Sequence, residues 1–324
     1  MPLAPTPRDT VLQDGPSRLY RFRRPQPAAG AGWPLLLVPS LINRWYVLDL
    51  RPGASLAEAL TKAGVDAWCL DWGVSGDEDR YFTWDDVLAR LRRAVRQVQR
   101  RTGAPKVGLL GYCVGGTLCG IHAALEPDSV AGLINLAGPF DFSQAGFLGE
   151  MTNAKWFDPQ AIADAGNVHP LQMQSGFQSL RPTGTLAKWV SLIDRGLDPD
   201  FREAFNAMEE WASDNIPFPG AAYARYVKEL YQENQLVRGE HRIAGRAVDL
   251  AAIRCPLLSI VADKDTICPP NAAQGLNQLA GAKDKDVLVI PGGHVGAVVG
   301  SRASKMLYPA LIDWLRKRQC ISIN

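Results

Sequence analysis

The stretch Gly111-Tyr112-Cys113-Val114-Gly115-Gly116-Thr117 has the form G-x-C-x-G and lies between an apolar run and a helical pattern. A nucleophile on a sharp strand-to-helix turn needs small residues two positions to either side, because larger ones would strike it or the neighbouring strand. Such a turn also sets the Cys113 thiol at a helix N-terminus, whose positive end favours thiolate over thiol. The competing reading is a tight turn holding a buried cysteine. In this arrangement an acid and then a histidine follow the nucleophile, on loops after later strands. An apolar run at 256–261 leads into Ala262-Asp263-Lys264-Asp265-Thr266-Ile267-Cys268-Pro269-Pro270, and another at 287–290 leads into Pro291-Gly292-Gly293-His294. Type, order and location all match acyl transfer by a Cys, Asp and His. Asp265 is the preferred acid and Asp263 its competitor.

Of the four histidines, His294 alone follows a predicted strand. His122 falls two turns into the helix after Cys113 and reads as a packed or partly exposed helix residue. His169 and His241 read as facing solvent. Asp71 reads as a loop or cap ligand. An oxyanion hole needs two donors: the backbone N–H of Val114, and one from the loop at Ser40–Ile42, where Leu41 and Ile42 are the candidates. Arg90, Arg92, Arg93, Arg96, Arg100 and Arg101 share one helix and could attract a polyphosphate such as coenzyme A, although a solvated outer face is the preferred reading.

The elements that must position these residues alternate. Leu35–Val38 reads as a strand, 55–63 as a helix, Ala67–Leu70 as a strand, and 84–102 as a helix capped by Thr83. Lys106–Leu110 is a strand, 113–125 a helix, and Ala131–Leu136 a strand. This order implies a parallel sheet covered on both faces, the α/β class. From 141 to 245 the chain becomes rich in aromatics with no clear strand. It then resumes with Pro256–Val261, a helix near 273–280, Val287–Ile290 and a helix at 303–318. The expected organisation is a core of 1–140 and 246–324 interrupted by a helical cap, 141–245.

The balance of 35 Lys and Arg against 33 Asp and Glu leaves a net charge of +2, which argues against a nucleic-acid binder. No apolar run approaches the roughly 18–20 residues of a membrane span. The opening MPLAPTPRDTVLQDG carries no signal-peptide pattern and reads as a polar tail. The six cysteines (69, 113, 119, 255, 268, 320) show no metal spacing and read as free thiols in the cytoplasm, with Cys119 as core packing.

These residues resemble the polyhydroxyalkanoate synthases from about 34 to 318. The match includes the run Val38-Pro39-Ser40-Leu41-Ile42-Asn43-Arg44-Trp45-Tyr46-Val47-Leu48-Asp49-Leu50, then Asp71-Trp72-Gly73 and the stretch around Cys113. It continues through Tyr231-Gln232-Glu233-Asn234-Gln235-Leu236-Val237-Arg238-Gly239, Val248-Asp249-Leu250, Asp265-Thr266-Ile267-Cys268-Pro269-Pro270 and Gly293-His294. The resemblance implies an α/β-hydrolase fold, Cys113, Asp265 and His294 as a triad, and polymerisation of 3-hydroxyacyl-CoA into polyester, with coenzyme A thioester as substrate and no separate cofactor. It is nearest the small catalytic subunit of the two-component subclass, which implies a second synthase subunit, a homodimer, and a place at the polyester granule surface. Thr266 stands where the family commonly has His. The alternatives are a cysteine hydrolase or thioesterase on the same fold and a non-catalytic granule-associated protein.

Overall fold

The computed structural model describes residues 3–25, 32–180 and 184–318. An eight-stranded sheet forms its centre. Its strands are β1 (Arg8–Asp14), β2 (Ser17–Phe22), β3 (Leu35–Val38), β4 (Ala67–Asp71), β5 (Val107–Tyr112), β6 (Val130–Leu136), β7 (Leu257–Ala262) and β8 (Lys285–Ile290). Their spatial order is β1-β2-β4-β3-β5-β6-β7-β8. From β4 to β8 every neighbouring pair is parallel. All residues of β3, β4, β5 and β7 are buried, as expected of strands with helices on both faces.

Three helices link the first parallel strands: α1 (Leu56–Lys62), α2 (Trp84–Thr102) and α3 (Val114–Leu125). α2 buries Val87, Leu88, Leu91, Val95 and Val98 on one face. Thr83 and Asp86 cap its start reciprocally, and Gly103, at φ 73°, closes its end in the left-handed region. Its arginines lie mainly on the solvent side, with Arg90 half-buried against Asp14. Among the described residues no helix is long and apolar enough to cross a membrane.

Two expectations need correction. The supposed polar tail contains β1 and lies on the sheet: β1 and β2 form an antiparallel hairpin, and β2 runs antiparallel along β4, Arg18 opposite Asp71 and Arg21 opposite Trp68. The missed signal is Asp14-Gly15, with Gly15 at φ 59°, between two runs whose apolar side chains Leu19, Tyr20 and Phe22 enter the core. The helix expected near 273–280 spans Pro270–Leu279, because Pro270 is tolerated in a first turn that needs no backbone N–H.

Between β6 and β7 the chain is built of helices, including Pro159–Asp164, Pro170–Ser179, Pro199–Ser213 and Gly220–Arg225, followed by a π-helical stretch, Tyr226–Gln232. A two-residue pairing of Arg242–Ile243 with Arg246–Ala247 lies near its exit. Side chains of the Tyr231–Asn234 motif bolt this segment together. Gln232 Nε2 donates to the carbonyls of Thr152 and Phe157 at 2.9 and 3.0 Å. Asn234 accepts from Phe142 N–H at 3.0 Å and donates to Asp141 at 2.9 Å.

Candidate active site

Cys113 joins β5 to α3 at φ 56° and ψ −129°, a conformation a side-chain-bearing residue adopts only under constraint. Backbone bonds on both sides hold it: Cys113 N–H donates to the Leu136 carbonyl at 2.9 Å, and Gly116 N–H to the Cys113 carbonyl at 2.8 Å. The surrounding glycines are sterically required. A Cβ on Gly111 would overlap the Gly115 carbonyl, one on Gly115 the Val38 carbonyl, and one on Gly116 the Asn135 side chain. The turn therefore presses α3 against the end of β3.

The loops after β7 and β8 bring the other polar groups to the same sheet edge. His294 Nδ1 lies 2.7 Å from Asp265 Oδ2. The other oxygen, Oδ1, accepts from the backbone N–H groups of Ile267 and Cys268, both at 2.9 Å. The Tyr112 ring packs on the imidazole with centroids 5.1 Å apart. Burial disfavours the charged imidazole, but negative charge at Cys113 and Asp265, with the hydrogen bond to Asp265, outweighs it and pushes His294 up to about 10. The competing carboxylate, Asp263, faces elsewhere: it accepts from Gly292 N–H at 2.7 Å and so ties the His294 loop to the Asp265 loop. Thr266 is exposed.

Val114 opens α3, where the first backbone donors lack intrahelical partners. Ile42 and Val114 both line the cavity at Cys113, whereas Leu41 packs into the core. The Ile42 N–H donates to Ser40 Oγ at 3.1 Å. The cavity measures about 340 Å³. Cys113, Ile267 and Cys268 form its sheet-side wall, and Phe157, Met173 and Phe177 part of its helical wall.

The remaining sequence candidates lie apart from this site. Asp71 accepts from Tyr20 OH at 3.1 Å and Gly73 N–H at 2.9 Å, holding its own loop. His122 is buried and meets Ser129 Oγ at 3.2 Å. His169 is exposed and caps the helix Pro170–Ser179. His241, expected in solvent, is fully buried. It accepts from Trp84 Nε1 at 3.3 Å and lies 3.0 Å from Glu229, a long-range network that local sequence does not reveal. Cys69, Cys113, Cys119, Cys255 and Cys268 are free thiols, and Cys320 lies outside the described residues. Tyr226 and Tyr231, which sequence reasoning does not single out, line the cavity. The signal available was their five-residue spacing.

The α/β hydrolase fold family matches residues 34–301. The poly(3-hydroxyalkanoate) polymerase subunit PhaC of Allochromatium vinosum is 34% identical over 316 residues, covering 97% of this chain and 89% of that protein. The protein of the same name from Haloferax mediterranei is also 34% identical, over 97% of this chain but 64% of its own length. A hydrolase from Pseudomonas aeruginosa aligns structurally over 95% of this chain and 98% of its own, at a TM-score of 0.57 and 17% identity, a likeness of fold alone.

Proposed function

The chain belongs to the family of poly(3-hydroxyalkanoate) polymerase subunits PhaC, within the α/β hydrolase fold, and from that premise we propose that it makes polyester by moving 3-hydroxyacyl groups from coenzyme A through Cys113. His294 takes the thiol proton as Cys113 Sγ attacks the thioester carbonyl carbon. The carbon–sulfur bond to coenzyme A then breaks, and the departing thiol leaves with that proton. One thioester has replaced another, so the step is nearly balanced and the acyl group stays activated. A hydroxyl next attacks the acyl-enzyme, gives its proton to His294, and leaves as an ester while the sulfur is released and reprotonated. Asp265 orients His294, or helps activate the attacking 3-hydroxyl.

Oxyanion stabilisation falls to Val114 N–H and a second donor at Leu41 or Ile42; each such donor contributes about 3 kcal/mol. For Ile42 to serve, its N–H must leave Ser40 Oγ. The helical segment acts as a cap: its apolar wall excludes the water that would turn transfer into hydrolysis. Coenzyme A enters as substrate, with no separate cofactor. A second synthase subunit, homodimerisation and attachment at a polyester granule complete the proposal.

The observation that carries this reading is the relationship to the Allochromatium polymerase subunit along nearly the whole of both chains, with a cysteine at the strand-to-helix turn. Purified protein given 3-hydroxybutyryl-CoA together with a second synthase subunit should release coenzyme A and form polymer, and Cys113→Ala should do neither. Cys113-dependent release yielding only free acid would make it a thioesterase. A run with a second synthase subunit, followed by light scattering, tests the assembly.

A further inference from the structure

Tyr226 and Tyr231 stand five residues apart in the π-helical stretch Tyr226–Gln232. At the α-helical repeat of 3.6 residues per turn they would splay apart by about 140°. The wider π turn, with its i to i+5 repeat, brings them to one face. Their rings meet edge-on, centroids 5.5 Å apart at 78°, and both line the cavity that holds Cys113. Trp84 at 5.1 Å and Phe218 at 6.0 Å clamp the Tyr226 ring, and Phe142 at 4.8 Å clamps that of Tyr231. Neither phenol can swing freely.

The two phenols stand side by side on the cavity wall, within electrostatic reach of Cys113. Tyr223, a third phenol on the cavity wall, responds to burial alone. Burial first, and then nearby negative charge, keeps Tyr226 and Tyr231 protonated well above the usual phenol range. Two neighbouring hydroxyls share at most one hydrogen bond at a time, which leaves at least one O–H proton over. Much of the surrounding wall is apolar, including Ile42, Val168, Met173 and Val227. Thr152, a hydroxyl on the same wall, is engaged with the carbonyls of Leu148 and Gly149. The spare O–H proton therefore faces a cavity whose wall is largely apolar.

We infer that the Tyr226–Tyr231 hydroxyl pair receives the 3-oxygen of the acyl group carried on Cys113 and selects 3-hydroxyacyl over unsubstituted acyl thioesters. This rests on the proposed acyl transfer. A donor is the suitable group, because the 3-oxygen accepts a hydrogen bond both as a free hydroxyl and, after chain growth, as an ester oxygen.

Mass spectrometry of the intact protein, following acylation of Cys113 by 3-hydroxybutyryl-CoA and by butyryl-CoA, tests it. Wild type should prefer the hydroxyacyl thioester. Tyr226→Phe, Tyr231→Phe and the double variant should lose about tenfold in rate with that substrate, the effect of one hydrogen bond, while acylation by butyryl-CoA stays within about twofold. The butyryl rate also reports that each variant is folded. A parallel fall with both thioesters, no change in either, or no preference in wild type would overturn the selection while leaving acyl transfer standing. If wild type accepts neither thioester, acyl transfer itself fails and the selection with it.

Discussion

At the ends of β5, β7 and β8 each site residue is held by backbone. Cys113 is pinned by two main-chain hydrogen bonds, Asp265 by two N–H groups of its own loop, and the His294 loop by Asp263. Across the cavity, the helical segment positions its residues through side chains: Gln232 and Asn234 reach backbone groups many residues away, and stacked rings hold Tyr226. The first region tolerates little change in shape, because backbone approaches backbone without room for a Cβ. The second is an assembly of short helices whose fit depends on removable side-chain contacts.

The sharpest way to break this comparison is at the rigid edge. His294→Ala should lower coenzyme A release by about 10²- to 10⁴-fold, the usual contribution of a positioned general acid–base. Circular dichroism should be unchanged. A loss below tenfold would sink the assigned role.

The other end of α3 supplies a pH test unconnected with catalysis. Burial pushes His122 down to about 4 from an ordinary 6.5, with Glu126 opposing and Arg92 and Arg96 assisting. The folded state binds fewer protons than the unfolded state between those values. Its contribution to stability is therefore present in full above about pH 6.5 and lost as pH falls through about 4. That loss amounts to up to about 3 kcal/mol. Urea unfolding at pH 7 and 4.5 should show His122→Asn losing less stability on acidification than wild type.

One substitution made in both regions sharpens the contrast. Gly115→Ala drives a Cβ into the Val38 carbonyl and should cost roughly 1–3 kcal/mol, read as a lower urea midpoint at unchanged slope. Gly176, inside the helix Pro170–Ser179, has open space at its Cβ position, so Gly176→Ala should stabilise by about 0.5–1 kcal/mol. Equal effects would remove the distinction. An effect of similar size, about 1 kcal/mol, is expected at Gln232→Ala, seen as faster amide exchange around Thr152–Phe157 with β5 unaffected.

Much of the rigid edge was legible in the residues. The spacing of Gly111, Cys113 and Gly115 marks a turn because part of its steric demand is local: a Cβ on Gly111 would overlap the Gly115 carbonyl. Strand runs of four to seven apolar residues mark a parallel sheet, and sheet polarity then places Asp265 and His294 at the edge bearing Cys113. The hairpin at Arg8–Phe22 was less legible, since its short strands gain burial only by pairing with β4.

What the sequence by itself determined is the set of local geometries: the tight turn at Cys113, capped helices, and strand-end loops carrying Asp265 and His294 in order. Tertiary structure alone decided that Asp265 meets His294 while Asp263 braces the loop, that His241 is buried against Trp84, and that a π turn sets Tyr226 beside Tyr231 at the cavity wall. The physical reason is range. Backbone sterics and periodicity act between near neighbours, whereas a side chain's partner across dozens of residues is chosen by how separate elements pack into one core.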